Sequence, residues 1–152
     1  MNIRPAQEHE ADALSALALK AKAYWGYSAD TIESWKQELT VSTQTITSRP
    51  TFVAVLGDEI VGFYSLSPSH HSRELDHLWV LPRFMDRGIG RALAAHALET
   101  AARGGASSVT VDADPNAESF YLACGAGRCG EVPAPIPGEP GRVRPQLTFR
   151  AL

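Results

Sequence analysis

The chain has 152 residues, of which 44% are apolar and 20% charged, and this is typical of one soluble globular domain spanning residues 1–152. The formal net charge of −3 argues against a nucleic-acid partner, because proteins that bind nucleic acids usually have a basic surface. The lack of any apolar run of about 18 residues excludes a membrane-spanning helix. The two cysteines, Cys124 and Cys129, are too few for a disulfide framework or a structural zinc site, so we expect a metal-free protein of the reducing cytoplasm.

The first part of the chain is predicted to be helical. Residues 8–25 place apolar side chains at helical spacing on one face: Leu14, Leu17, Ala18, Ala21 and Trp25. Gly26 interrupts this pattern. A second helix is predicted from near Asp30, with Glu33 three residues later as a variant of the capping box. Residues 42–48 are polar and receive no assignment.

The centre of the chain predicts three consecutive strands. Two short runs rich in β-branched and aromatic residues, 51–56 and 60–66, are separated by a turn and form a hairpin. A polar loop follows, in which His70 and His71 are expected to be surface residues. The third strand is predicted over residues 74–81.

After this strand, helices and strands alternate. Residues 88–103 are rich in Ala and Leu and predict a helix that a Gly-Gly pair ends. Residues 107–112 predict a strand. Asp114 is a predicted N-cap with Pro115 in the first helical position, and the helix that it opens ends at Gly125.

The end of the chain is predicted to be a loop and a strand. Residues 131–141 hold four prolines and two glycines and are expected to form a long loop, whereas the weak alternation of residues 143–151 predicts a final strand. The elements follow the order β-α-α-β-β-β-α-β-α-β-β. Three consecutive strands followed by alternating units predict an α/β (α+β) fold, with a mixed sheet and helices on both faces.

The most informative segment joins the third predicted strand to the next helix. Gly88 and Gly90 open this helix, whose first turn presents free N–H groups and the positive end of the helix dipole. Because glycine lets an anion approach the backbone closely, the segment is suited to binding phosphate or pyrophosphate, with Arg87 and Arg91 beside it. The alternative is an ordinary helix entrance with both arginines in solvent.

Two other phosphate-binding motifs fit this segment poorly. A dinucleotide site would need a third glycine where Leu93 stands, and a tight turn between the strand and Gly88, where six residues intervene. The acidic residue that such a site needs about 20 positions after the glycines is present as Asp112. A P-loop would need Lys and then Ser or Thr after Gly90, where Arg91 and Ala92 stand. Nicotinamide binding is therefore a distant alternative.

The segment Met85-Asp86-Arg87-Gly88-Ile89-Gly90 resembles the acyl-CoA-binding motif Q/R-x-x-G-x-G/A of the GCN5-related N-acetyltransferase (GNAT) superfamily. The segment 114–126 resembles a second motif of that family, N-x-x-A-x-x-F-Y-x-x-x-G-F, in a compressed form. The resemblance covers residues 59–130. The chain resembles the small, single-domain members of bacterial type in this family. Two departures from the family pattern are Met85 in place of Gln or Arg and Ala126 in place of Phe.

This resemblance implies a GNAT-like fold with a mostly antiparallel sheet of six to seven strands. It also implies transfer of the acetyl group of acetyl-CoA to an amine by direct attack in a ternary complex. The implied catalytic residues are Glu74 as base and Tyr121, beside the CoA sulfur, as general acid. The implied cofactor-binding residues are Leu78, Trp79 and Val80 through their main chain, Met85, Asp86, Arg87, Gly88, Ile89, Gly90 and Arg91 around the pyrophosphate, Asn116 at the pantetheine arm, and Phe120.

The chemistry of amine acetylation needs such groups. An alkyl amine with a pKa near ~10.4 is neutral in only about one molecule in 10³ at pH 7, so a base such as Glu74 is useful. The developing oxyanion needs a hydrogen-bond donor, and a hydroxyl such as that of Tyr121 can protonate the thiolate. The structural alternatives are a solvated carboxylate for Glu74 and core packing for Tyr121.

Other residues near these candidates are expected to have secondary or structural roles. Asp76 shares the face of Glu74 by strand alternation and is expected to act through water or to attract a cationic amine, whereas His77 points the other way and is expected to be structural. The aromatic side chains of Trp25, Tyr27 and Trp35 are expected to cluster, either as core or as the wall of an acceptor pocket. Cys124 is not expected to carry an acyl group, since no activating partner stands near it.

Two classes of function remain open at this point. The first is an N-acetyltransferase of a small-molecule or protein amine, and the second is a non-catalytic acyl-CoA-binding or sensing module on the same fold. The presence of both Glu74 and Tyr121 favours the enzyme. No membrane or nucleic-acid partner is expected. A homodimer is a possible assembly, in which the tail and final strand pair between subunits. The sequence does not specify the acceptor.

Overall fold

A mixed sheet forms the centre of the computed structural model, which describes residues 1–67 and 72–150. Its strands are β1 (Asn2–Pro5), β2 (Thr51–Leu56), β3 (Glu59–Leu66), β4 (Ser72–Val80), β5 (Ser108–Asp112), β6 (Gly127–Pro133) and β7 (Val143–Arg150). Its helices are α1 (Ala11–Ala23), α2 (Ala29–Ser34), α3 (Lys36–Leu39), α4 (Thr43–Ser48), α5 (Ile89–Arg103) and α6 (Glu118–Ala123), with 3₁₀ turns at Glu8–Glu10, Pro82–Phe84 and Pro115–Ala117.

The strands lie in the order β1-β2-β3-β4-β5-β7-β6. All neighbours pair antiparallel except β4 and β5, which are parallel. Helix α5 packs against β3, β4 and β5, and α1 packs against β4 within a separate core cluster. The predicted mixed, mostly antiparallel sheet with helices on both faces is confirmed. None of the described helices is both long and apolar enough to cross a bilayer.

Helix α5 covers the larger core cluster. It buries Leu93, Ala97 and Ala101, which follow one another at helical spacing on one face. Gly62 on β3 permits this close packing, because a Cβ atom there would lie 2.8 Å from the carbonyl oxygen of Trp79 and 3.0 Å from Cδ1 of Leu93. A larger residue at Gly62 would therefore push α5 away from the sheet.

Helix α1 covers a second cluster on the other face of the sheet. It buries Ala11, Leu14, Leu17, Ala18 and Ala21, and the cluster joins Leu14, Leu17 and Ala18 to Val53 and Phe63 of the hairpin. The predicted positions within this set are Leu14, Leu17, Ala18 and Ala21. The predicted apolar stripe is confirmed at those four positions. It is wrong at Trp25, which follows the end of α1 and is 38% exposed.

The three central strands are confirmed, with small changes in their bounds. Strand β2 has the predicted limits, β3 begins one residue earlier, and β4 extends from Ser72 to Val80 instead of 74–81. His70 and His71 lie outside the described residues. Strand β7 confirms the predicted final strand as far as Arg150.

A β-bulge interrupts the pairing of β4 with β3. Ser65 pairs with His77, but Leu66 pairs with Leu75, so Asp76 is the extra residue on β4. Leu75 therefore belongs to the cluster under α5, whereas His77 contacts Phe63 of the other cluster. The alternation argument that put Asp76 on the face of Glu74 does not apply across this bulge.

Two local predictions are wrong and one segment without assignment is helical. The expected loop 131–141 begins within β6, which pairs with β7 and is an exposed edge strand without a buried stripe. Helix α2 begins at Ala29, next to the predicted Asp30, but the predicted capping pair of Asp30 and Glu33 is wrong. The cap is Ser28, whose Oγ accepts from the N–H of Thr31 (3.1 Å). The polar segment 43–48 forms α4, since the Oγ of Ser42 caps it.

Candidate active site

A cavity opens where β4 and β5 separate. Among the described residues these strands share three residue pairs, from Ser72 with Ser108 to Glu74 with Thr110. Beyond them lies a cavity of about 930 Å³, lined by residues 75–80 of β4, residues 111–114 and the start of α5. Small-molecule sites span roughly 300–1,000 Å³, so this cavity suits a large, extended ligand.

The part of β4 that lines the cavity has one free edge. Leu78, Trp79 and Val80 pair with β3, and no strand of the described chain pairs with them on the cavity side. Backbone groups of an unpaired edge can bind an extended ligand much as they would bind another strand. The cavity therefore offers hydrogen bonds from main chain as well as from side chains.

The turn from β4 into α5 is a candidate anion site, which we call the cradle (residues 85–91). Asp86 (φ 63°) and Gly88 (φ 82°) are left-handed, and α5 begins after Gly88 without a side-chain cap from any described residue. Its first N–H groups are therefore left for an external acceptor. Gly90 keeps the approach open, because a Cβ atom there would lie 3.1 Å from Cε1 of Phe120.

Most of the predicted cofactor-binding residues line this cavity: Leu78, Trp79, Val80, Met85, Asp86, Gly88, Gly90, Arg91, Asn116 and Phe120. The other two lie elsewhere. Ile89 is buried in the core under α5, so only its backbone can contribute to the cradle. Arg87 is on the surface, with its guanidinium 5.2 Å from the ring centroid of Phe84.

Tyr121 is part of the cavity wall. Its ring packs edge-on against Phe120 and Phe149, and the side chain is buried. Burial raises the pKa of its phenol far above the ordinary value, and nearby Asp114 adds to this effect. The hydroxyl therefore keeps its proton at neutral pH, and no group in the described residues accepts that proton in a hydrogen bond.

Glu74 lies at the last residue pair before β4 and β5 separate. Its N–H donates to the Oγ of Ser67 (2.8 Å). Burial raises the pKa of its carboxyl, and the carboxylates of Asp76 and Asp112 raise it further. The cavity lining reaches Leu75 and Asp76 but not Glu74. The structure therefore places Glu74 beside the cavity and not within its wall.

Asp76, the bulged residue of β4, does line the cavity. Its Oδ2 accepts a hydrogen bond from Nη1 of Arg49 (2.7 Å). Burial raises the pKa of this carboxyl in spite of the opposing effect of Arg49. Two carboxyls with raised pKa values, Glu74 and Asp76, thus adjoin the same end of the cavity.

His77 is buried, as expected of a structural histidine, but it also lines the cavity. Its ring packs against Phe63 with 5.7 Å between ring centroids. Burial lowers its pKa to about 4, and the nearby guanidinium of Arg49 acts in the same direction. The imidazole is therefore neutral at pH 7.

Another part of the wall holds a partly buried group of polar side chains. Nζ of Lys22 and the hydroxyl of Tyr27 both donate to Oδ2 of Asp114, over 2.6 and 2.8 Å. The hydroxyl of Tyr27 accepts from Nη2 of Arg142 (2.9 Å) and from Nδ2 of Asn116 (3.2 Å). We call these five residues the charged cluster.

The charges of this cluster are held in place by burial and by aromatic rings. Burial alone would raise the pKa of Asp114, but Lys22 holds it below its ordinary value. Burial lowers the pKa of Lys22, against the opposing effect of Asp114. The ring of Trp35 lies 4.5 Å from the Lys22 ammonium and packs edge-on against Tyr27. Trp25 does not join this pair and contacts Tyr24 instead.

Sequence reasoning missed the cavity roles of three cations, Lys22, Arg142 and Arg144. The available signal for Lys22 was its position four residues after Ala18, next to the apolar stripe of α1. No local pattern identifies Arg142, because its partner Tyr27 lies 115 positions away in the chain. Arg144 stands at the start of a strand whose alternation is weak.

Residues 20–126 match the family model described as "Acetyltransferase (GNAT) family". The chain belongs to the GNAT acetyltransferase family. The match contains both segments on which the resemblance rested, the cradle and residues 114–126. A comparison of this GNAT protein with curated protein sequences finds no match.

Solved structures share the fold of this GNAT protein. A GCN5-related N-acetyltransferase, "Aminotransferase, Class-II", from Rhodopseudomonas palustris is 24% identical with a TM-score of 0.80, over 99% of this chain and 95% of that chain. The PaiA N-acetyltransferase from Thermoplasma acidophilum in complex with coenzyme A is 17% identical with a TM-score of 0.77, over 98% of each chain. The YncA protein from Salmonella typhimurium with its cofactor acetyl-CoA is 16% identical with a TM-score of 0.74, over 100% of this chain and 94% of that chain. The predicted GNAT fold is confirmed.

The cradle of this GNAT protein differs in charge from the motif that it resembles. Met85 lines the cavity with an apolar side chain where the motif has Gln or Arg, and Asp86 adds a carboxylate beside the anion site. The backbone donors do not depend on either side chain. The cradle therefore keeps its N–H groups but has a weaker positive potential.

Proposed function

We propose that this GNAT protein is an N-acetyltransferase that uses acetyl-CoA as cosubstrate and an amine as acceptor. One observation carries the proposal: a single cavity contains the uncapped start of α5, the free edge of β4 and the buried phenol of Tyr121. These three features suit the pyrophosphate, the pantetheine amides and the sulfur of the cosubstrate, respectively. The cosubstrate supplies the acetyl group as a thioester, and the protein binds it, orients it and moves protons.

Binding rests mainly on backbone groups. The first N–H groups of α5 face the pyrophosphate, with Arg91 as the cation in the cavity wall. The free edge of β4 from Leu78 to Val80 takes the pantetheine arm. Nδ2 of Asn116 already donates to Asp114 and Tyr27, so its Oδ1 is the atom left to accept a hydrogen bond from a ligand amide.

The acceptor amine must lose a proton before it attacks the thioester carbonyl. A carboxylate with a raised pKa is a better base than an ordinary one, and Glu74 has the larger number of like-charged neighbours. We assign Glu74 as the base, acting through water because its carboxyl lies beside the cavity wall. Asp76, which lies in the wall, attracts the cationic amine.

Tyr121 is assigned as the general acid that protonates the departing thiolate. Its phenol is protonated at neutral pH and has no competing acceptor among the described residues. Direct attack of the amine is favoured over a covalent acyl-enzyme, because burial raises the pKa of the Cys124 thiol and makes it a poor nucleophile. The reaction is therefore a single transfer in a ternary complex.

The first test measures the shift in melting temperature with acetyl-CoA, CoA and NAD in parallel. A ligand at about 100 times its Kd stabilises a protein by about 2.7 kcal/mol, or about 5–10 °C here. We expect such a rise with both CoA species and none with NAD. No rise with either CoA species would overturn the proposal, and a rise with NAD alone would point to a dinucleotide site.

The second test separates an enzyme from a binding module. Release of free CoA thiol is followed with acetyl-CoA and panels of primary amines. We expect amine-dependent release that Tyr121→Phe reduces while the thermal shift with CoA is kept. Binding without release for any amine would favour the non-catalytic acyl-CoA-binding module.

A further inference from the structure

One region of the cavity wall carries three cations. Lys22, Arg142 and Arg144 all line the cavity, and both arginines interact electrostatically with Lys22. The carboxylates of the wall beside them are Asp112 and Asp114. Asp114 is already held by Lys22 and Tyr27 within the charged cluster. The acidic neighbours of Arg144 are Asp112 in the wall and Glu74 beside it.

Arg144 is the cation in this region whose hydrogen-bond donors are least used. Its Nε is buried and has no partner anywhere in the described chain. Its Nη2 lies 4.0 Å from Oδ2 of Asp112, which is too long for a hydrogen bond. Oδ1 of Asp112 accepts from Gln146 (3.1 Å) instead. The side chain as a whole is 41% exposed, so its two Nη groups, for which no hydrogen bond is found within the described residues, are the donors that a ligand oxygen in the cavity can reach.

Charges of the opposite sign lie close to Arg144. Glu74 interacts electrostatically with Asp76 and Asp112 and also with Arg144. The geometry agrees with this, because Asp112, which lies 4.0 Å from Arg144, stands two residues after Thr110, the partner of Glu74 on β5. A ligand that carries an amine and a carboxylate a few bonds apart would match both. Trp35 also lines the cavity and offers an apolar surface to the remainder of such a ligand.

We infer that the acceptor carries a carboxylate next to its amine, as an α-amino acid does, and that Arg144 binds that carboxylate. The inference rests on the proposed function and names its substrate class. The guanidinium presents parallel donors that match the two oxygens of a carboxylate. The amine then lies toward Asp76 and Glu74. An amino-acid amide or a simple amine would lack the charged pair of oxygens that the Nη groups of Arg144 bind.

The test compares matched acceptors in the thiol-release assay. The twenty common L-amino acids are compared with their L-amino-acid amides and with the amines that lack the carboxylate altogether. We expect the best amino acid to exceed its amide and its carboxylate-free amine in kcat/KM by about 10- to 100-fold. Arg144→Gln should remove this preference, while acetyl-CoA still raises the melting temperature.

Arg150→Gln is the matched control, since it removes the same charge from the same strand at an exposed position. It should leave the preference unchanged. Equal use of amides and amino acids by the unaltered protein, or an unchanged preference in Arg144→Gln, would overturn the inference.

A binding measurement makes the outcome independent of turnover. The same amino acids and amides are added to the protein with CoA bound, and the melting temperature is recorded. Stabilisation by an amino acid but not by its amide, lost in Arg144→Gln, supports the inference even without acetyl transfer. No stabilisation and no transfer with any amino acid would overturn it, whereas the proposed function is judged separately by the shift with CoA alone.

Discussion

The indole Nε1 of Trp79 donates a hydrogen bond to Nδ1 of His77 over 3.0 Å. The two residues stand two positions apart on β4, so both side chains project from the same face. Because Nδ1 acts as the acceptor, the one proton of the neutral imidazole is on Nε2. His77 is therefore a hydrogen-bond donor and not the base that deprotonates the amine.

The buried neutral state of His77 makes the stability of the protein depend on pH. Its pKa is about 4 in the folded chain and about 6.5 in an unfolded chain. The unfolded state therefore binds more protons between these values, and the free energy of unfolding falls as the pH falls through that window. Between pH 7 and pH 5 we expect a loss of about 2 kcal/mol.

Urea unfolding at the two pH values checks this expectation. His77→Gln keeps an acceptor for the indole N–H and should flatten the pH dependence. His9→Gln, at an exposed position, is the control and should not. A wild-type slope that persists in His77→Gln would show that another group is responsible.

Tyr121→Phe should separate binding from catalysis. The substitution keeps the packing of the ring against Phe149 and removes only the proton that the phenol supplies. We expect kcat to fall by about 10²-fold or more, with little change in the affinity for CoA. Tyr24→Phe removes a hydroxyl from an exposed ring and should have no effect on either quantity. Unchanged turnover in Tyr121→Phe would remove this residue from the mechanism.

The identity of the base can be read from the pH profile of kcat/KM. A base works only when it is unprotonated, so activity should fall as the pH drops through the raised pKa of Glu74. Glu74→Gln should lower kcat by about 10²-fold and abolish this acidic limb. Asp76→Asn is the matched comparison and should raise KM for the amine while keeping the limb. Loss of the limb in Asp76→Asn alone would make Asp76 the base.

Asp86 should weaken binding of the anionic cosubstrate. It lies in the cradle with a φ of 63°, a conformation that Asn tolerates as well as Asp does. Asp86→Asn therefore removes the charge without a change in backbone strain. We expect CoA to bind several-fold more tightly at low salt, with the gain shrinking as salt rises. Asp58→Asn, an exposed turn residue, should not alter the affinity measured by calorimetry.

Gly90→Ala should damage the cavity by steric contact. The added Cβ atom would lie 3.1 Å from Cε1 of Phe120, which forms part of the cavity wall, so the ring must shift by a few tenths of an ångström. We expect a loss of about 1–3 kcal/mol in stability and weaker binding of CoA. Gly141→Ala is the control, because an added Cβ atom there meets nothing within 4 Å. Equal melting temperatures for the two variants would contradict this account.

Local patterns in the sequence predicted the elements that bury apolar side chains. The stripe from Leu14 to Ala21 located α1, which is buried on one face. The apolar runs located the hairpin of β2 and β3, because β3 is buried on both faces from Val61 to Leu66 and β2 is buried in part. Strand β6 could not be found in this way. It lies at an exposed edge, where no apolar face is needed and prolines are tolerated.

The candidate site was only partly predictable for a related reason. The cradle is a local feature and can be read from Gly88 and Gly90 in sequence. The bulge at Asp76 is set by pairing with β3, and it changes which side chains face the cavity. Contacts such as Arg142 with Tyr27 join distant segments, so their existence follows from the topology and not from any pattern near either residue.

The charged cluster has a mechanical consequence for the enzyme. Lys22 lies in the last turn of α1, and Arg142 directly precedes β7. Both contact Asp114 and Tyr27. This bonding clamps together parts of the chain on either side of the gap between β4 and β5. These bonds therefore oppose hinge motion of one half of the sheet against the other when a ligand binds. Such preorganisation lowers the entropy lost on binding.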